Sequence, residues 1–73
     1  MKKITLGDYV RDTLTGFEGV AIGRSIWLYG CERIGIEPRN LGENGLPIEP
    51  VFFDIGRVEI VESEIIAEKE LPQ

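Results

Sequence analysis

The sequence predicts an all-β fold, a small barrel of about five short strands. Three observations carry this expectation. Apolar residues recur at every second position in several short runs, the spacing that puts side chains on one face of a strand. Turn signals interrupt those runs about every eight to twelve residues. No stretch holds the longer period of an amphipathic helix, and neither an internal repeat nor a low-complexity tract is present. Sheets that curl shut remove their exposed edges, so short strands in this number read as a barrel.

At 73 residues the chain is one domain near the lower size limit for a self-sufficient core. A chain this short buries only about 60% of its unfolded surface. One cysteine, Cys31, excludes an internal disulfide, and no cysteine cluster could hold a structural metal. Association with copies of itself is the remaining common source of buried area, so a homo-oligomer is expected. No cofactor-binding pattern is found.

In order, Ile4-Thr5-Leu6 leads into a Gly7-Asp8 turn, and Tyr9-Val10-Arg11 forms the first strand with Val10 inward. Asp12 to Gly16 (DTLTG) is a loop. Asp12 and Thr15 can each bond their own downstream backbone there, and Gly16 supplies the turn. The central hairpin, Phe17 to Pro38, organises the rest. On its first arm Val20, Ile22, Ile26 and Leu28 share the even face, expected to point inward. Gly19, Ala21, Gly23, Ser25, Trp27 and Tyr29 then lie on the outer face. A bend is expected near Gly23-Arg24, and a tight turn with positive φ at Tyr29-Gly30. The return arm is Cys31 to Glu37, with Ile34 and Ile36 together and Pro38 ending it.

Arg39 to Pro50 holds two glycines, two prolines and two asparagines in twelve positions. It is a surface loop with its turn at Asn44-Gly45. Val51 to Asp54 is a strand that buries either Val51 and Phe53, or Phe52. Ile55-Gly56 fits a single 3₁₀ turn, and Arg57 to Glu62 closes the sheet with Val58 and Ile60 inward. The barrel is thus residues 1–62, followed by an acidic tail over 63–73. Ser63 as an N-cap and Glu64 behind it favour a short C-terminal helix over a continued strand.

Charge narrows the partners. Residues 1–40 carry six basic and five acidic side chains, whereas residues 41–73 carry two and eight, and the whole chain has a net charge of −5. An acidic domain repels phosphate backbones, which argues against general nucleic-acid binding. No run approaches the roughly 20 apolar residues a bilayer crossing needs, and no secretory signal follows Lys2-Lys3. Starting at Met1, the chain reads as a complete, cytoplasmic gene product.

Several residues invite a functional reading beside a structural one. Tyr9, Trp27 and Tyr29, outward in this register, could stack a base, grip a peptide or cage a cation; otherwise they pack on a loop, the tail or another subunit. Arg24, Arg33 and Arg39 could form an anion-binding patch, or pair across strands with Glu18, Glu32 or Glu37. Asp8, Asp12, Asp54 and Glu18 could hold a cation, or make turns and cap strand ends. Cys31 has no histidine anywhere in the chain to activate it, so it reads as a small buried thiol and not a nucleophile. With no strand-to-helix phosphate loop either, an enzyme is not expected.

The strings LGDYVRDTLTGFEGVA (6–21), WLYGCERIGIEP (27–38) and VFFDIGRVEIVE (51–62) resemble small uncharacterised proteins of phages, prophages and other mobile elements. The likeness covers residues 4 to 62, about four-fifths of the chain. Its Gly-Asp-x-Val opening also looks like the start of SH3-like, KOW-like and Tudor-like barrels. The resemblance implies an SH3-like barrel and carries over no catalytic residues. Together these readings lead to a non-catalytic protein-interaction or assembly module, with exposed aromatics or sheet edges meeting a protein partner. Nucleic-acid binding of the KOW or Tudor-like kind and sequestration of a small molecule between subunits are the alternatives.

Overall fold

The computed structural model describes residues 3–66. Five strands form one antiparallel sheet: β1 (Tyr9–Asp12), β2 (Glu18–Ser25), β3 (Arg33–Glu37), β4 (Val51–Asp54) and β5 (Val58–Glu62). Their spatial order is β4-β3-β2-β1-β5. A 3₁₀ turn, Ile55–Arg57, joins β4 to β5, where the dipeptide Ile55-Gly56 led us to expect one.

That short link dictates the shape of the sheet. β4 and β5 lie at opposite edges, which in a flat five-stranded sheet would stand about 19 Å apart. A 3₁₀ segment rises only about 2 Å per residue. The sheet therefore coils until its two edges meet at this corner. Among the described residues the edges share no ladder of hydrogen bonds.

The inner face of the coil is the core. Ile4, Val10, Ala21, Ile34 and Ile36 are buried together, with Phe17, Phe53, Ile55, Val58 and Ile60 packed against them. Alternation placed Val10, Ile34, Ile36, Val58 and Ile60 correctly, and it resolves β4 in favour of Phe53 inward. For β2 the expected face is inverted. Ala21 is buried opposite Ile36 while Ile22 is exposed, and Ile26 and Leu28, expected inward with Ile22, lie beyond the end of β2 and are exposed. Small residues take the inward positions, Gly19 opposite Val10 and Ala21 opposite Ile36, and at Gly19 the neighbouring backbone leaves no room for a side chain. Val20, on the other face, is still buried beside its register partners Tyr9 and Glu37.

Ile22 is the extra residue of a bulge between Ala21 and Gly23, one position before the expected bend. The bulge resets the phase of β2, so Arg24 faces Ile34 and Ser25 faces Arg33. Beyond Ser25 the hairpin opens into a broad loop that runs to Glu32. No positive φ occurs at Gly30, unlike at Gly7, Gly16 and Gly45. The expected tight turn at Tyr29-Gly30 is thus replaced by a wide tip, and β3 begins only at Arg33.

The other expected turns form. Gly16 donates its N–H to the Asp12 carbonyl at 2.9 Å, and Thr15 Oγ1 accepts from the Phe17 N–H at 3.2 Å. Gly45 donates to Gly42 O at 3.0 Å. After β5, Ser63-Glu64 is a turn with Glu64 at φ 46°, outside the right-handed helical region. The expected helix therefore does not begin at Ser63, because the Glu64 N–H is drawn to a carboxylate of Asp8 at 2.7 Å. Residues 67–73 of the acidic tail lie outside the described residues.

Gly19 marks a tight backbone approach between β2 and the end of β3. A Cβ there would stand 2.2 Å from the Glu37 carbonyl oxygen and 2.8 Å from Pro38 Cα. Gly19→Ala is expected to lower stability by about 1–3 kcal/mol, the usual range for overpacking. Gly56→Ala, where a Cβ meets nothing within 4 Å, is expected to change it by less than about 1 kcal/mol. Urea denaturation of both variants checks the contrast.

Candidate functional site

Two aspartates on the inner face of the sheet fix its ends. Positions 8, 10 and 12 share a face, so Asp8 and Asp12 point inward with Val10 and both are buried. A buried carboxylate is costly unless its oxygens are matched by donors. Arg57 supplies two to Asp12, with Nε to Oδ1 and Nη2 to Oδ2, each at 2.8 Å. Thr15 adds its backbone N–H at 2.8 Å and its hydroxyl. The Arg57 guanidinium also lies over the Phe53 ring, 5.2 Å from its centroid, and Phe53 meets Phe17 at 5.5 Å. Asp8 takes the Thr5 N–H at 2.9 Å on one oxygen and the Glu64 N–H on the other, clasping the two ends of the described chain.

These aspartates are therefore structural, the plainer of the two readings the sequence allowed. Among the described residues no cluster of three or more metal-ligating side chains forms. Hydrogen bonding from Arg57 holds the Asp12 carboxyl well below its ordinary value of 3.8, against the opposing effect of burial.

The arginines expected as an anion patch are dispersed. Arg24 Nε pairs with Glu32 at 2.8 Å and its Nη2 donates to the Ile4 carbonyl. Arg33 pairs with Asp54 at 3.2 Å across the β3–β4 ladder. Because Arg24 sits opposite buried Ile34 and Arg33 opposite Ser25, the two lie on opposite faces of the sheet. Arg39, just past β3, acts instead on Tyr9. Hydrogen bonding to Glu18 raises the Tyr9 phenol above its ordinary value, and the charge of Arg39 works against that rise.

What stays open is apolar. Ile26, Trp27, Leu28 and Tyr29, at the tip of the β2–β3 hairpin, are 75, 63, 88 and 96% exposed. Four consecutive apolar side chains so far out of the core are unusual, because each gives up the burial that would stabilise it by about 1.5–3 kcal/mol. Trp27 is steadied by its indole N–H donating to Ser25 Oγ at 3.2 Å, and its Cβ leaves only 3.2 Å for a Cβ at Gly30. Cys31 follows the tip and is exposed, which corrects the buried thiol expected from sequence. The wide loop carries its side chain outward.

Tyr9, Trp27 and Tyr29 are thus not one constellation. Trp27 and Tyr29 belong to the tip, whereas Tyr9 lies on β1 beside Glu18. Sequence reasoning missed Phe52, which lies on the outer face with its ring across Gly35. A Cβ on Gly35 would come within 2.8 Å of Phe52 Cζ, and one on Gly23 within 3.7 Å. The glycines at positions 23 and 35 were the available signal, since paired glycines across a ladder leave room for a ring from the next strand. An open cavity of about 280 Å³ is lined by Lys3, Ile4, Thr5, Leu6 and Arg24.

No family model, curated protein or solved structure shows a significant match to this chain.

The Asp12–Arg57 contact has a pH signature. A depressed folded-state pKa contributes stability that is fully present above the unfolded value of about 3.9 and is lost as pH falls below it. Asp12→Asn is expected to be less stable at neutral pH and to lose less on acidification than the parent. Denaturant midpoints measured between pH 7 and pH 2.5 check both halves.

Proposed function

We propose that this chain is a non-catalytic interaction module that binds a protein partner through the hairpin tip Ile26 to Tyr29. The single observation carrying this reading is the exposure of four consecutive apolar side chains on a domain whose remaining inner-face residues pack into one core. Trp and Tyr are the side chains that most often dominate protein interfaces, since each presents a large rigid surface with one polar atom.

The charge arrangement supports a protein over a nucleic acid. Arg24 and Arg33 are matched by Glu32 and Asp54, and the net charge of −5 opposes phosphate. Small-molecule sequestration has only the open cavity near Arg24 in its favour. A mobile-element origin joins this reading on the strength of the resemblance alone. A cytoplasmic location is part of the same reading, and no helix among the described residues is long and apolar enough to cross a membrane. Self-association into a homo-oligomer is the version in which the partner is a second copy.

Trp27→Ala is expected to leave the urea midpoint within about 0.5 kcal/mol of the parent, as for other exposed sites. It is expected to weaken partner binding by about thirtyfold, the effect of removing an interface anchor. Native mass spectrometry of the parent reads self-association, and affinity capture from the source cells with parent and variant as bait reads a foreign partner. Equal assembly and equal capture by the two proteins would refute the role of the tip.

A further inference from the structure

The core is finished on one side of the coil and unfinished on the other. Residues of β1, β2 and β3 that face inward include Val10, Ile34 and Ile36, which are fully buried. On β4 and β5 no residue is buried, including the inward-facing Phe53, Val58 and Ile60. Val51 and Phe52 on β4 are 42 and 47% exposed. The inner surface is therefore open along the seam between these two edge strands, away from the 3₁₀ link that holds them at one end.

The two edges differ in how they are guarded. β5 carries a bulge opposite Tyr9/Val10, and its outer residues Glu59 and Glu62 are charged, features that discourage strand pairing. β4 is a regular, lysine-free run, VFFD, with Pro50 before it and no irregularity in its ladder to β3. Its outward backbone groups have no ladder partner among the described residues. Acidic side chains stand at the open ends of both edge strands, with Glu49 just before β4 and Glu62 at the end of β5, and Glu43 lies earlier in the preceding loop. None of the three forms an ion pair among the described residues.

From this placement we infer that the β4 edge takes up an extended segment of a partner protein as an added strand, and that the segment is basic as well as apolar. Its backbone completes the hydrogen bonds of β4. Apolar side chains on one face cover Val51 and Phe53, and cations meet Glu49 and Glu62. Like charge makes a second copy of this acidic chain the poorer occupant. The inference rests on the interaction-module reading but uses a different surface from the hairpin tip.

The test is amide hydrogen exchange followed by NMR on the full chain, with a synthetic octapeptide of alternating lysine and valine as the probe. Alternate β4 amides should exchange fast in the free protein and slow by about tenfold or more with the probe. The glutamate-valine counterpart should leave them unchanged. Val51→Lys, which places a cation on the edge, should abolish the effect while β1–β3 amides keep their protection. Trp27→Ala should leave the effect intact, even if the tip proves to have no partner. The inference is overturned if β4 amides are already slow in the free, dilute protein, or if they slow with protein concentration alone. Equal protection by both peptides, or loss of protection in Trp27→Ala, overturns it as well.

Discussion

The bidentate contact between Asp12 and Arg57 is the constraint on which the rest of this structure depends. It joins the end of β1 to the 3₁₀ link between β4 and β5, and the same guanidinium lies over Phe53 of β4. Around it the backbone is tied in the same sense, with Thr13 N–H donating to the Arg57 carbonyl at 2.8 Å and Ile55 N–H to the Glu32 carbonyl at 2.9 Å. One buried carboxylate thus organises the DTLTG loop, the 3₁₀ turn and the aromatic pair Phe17–Phe53. No buried side-chain nitrogen or oxygen among the described residues lacks a hydrogen-bond partner, so this polar corner is fully matched and enforces one arrangement.

Two regions stay outside the core that this corner completes. The tip of the β2–β3 hairpin is exposed, and β4 and β5 share no ladder beyond their common link. Uncovered apolar side chains run consecutively at the tip and on β4, while others, such as Leu14, Leu41, Leu46 and Val61, stand exposed singly. A small domain has little stability to spare, and the joint exposure of Trp27, Leu28 and Tyr29 is the observation on which the proposed interaction surface rests. The charged residues work the other way. The ion pairs Arg11–Glu59, Arg24–Glu32 and Arg33–Asp54 each match a cation with a neighbouring acid, which leaves little positive surface on an already acidic chain.

Much of the fold was legible in the sequence because strands and turns are local. Val10, Ile34, Ile36, Val58 and Ile60 follow from alternation, and the turns at Gly7-Asp8, Gly16 and Asn44-Gly45 follow from residue type. What failed was the phase of β2. Before the bulge Ala21, and not Ile22, faces the core, and the strand ends at Ser25, so Ile26 and Leu28 belong to the hairpin tip and to neither face. The tip was misread for a related reason, since Tyr29-Gly30 has the composition of a tight turn but sits in a loop too wide to need one. The Asp12–Arg57 contact joins positions 45 apart and was missed, although Asp12 shares a face with Val10 and an inward carboxylate calls for a cation. Of the candidate site, Trp27 and Tyr29 were legible as outward aromatics. Phe52 was not, because its place depends on Gly23 and Gly35 being brought side by side.

The most direct test of the central constraint is a double-mutant cycle on Asp12→Asn and Arg57→Gln, read by urea denaturation at neutral pH. If the contact holds the coil, the double variant should be scarcely less stable than either single variant, because each single change already breaks the shared interaction. Additive losses would contradict the account, and would mean that the two residues stabilise the sheet independently.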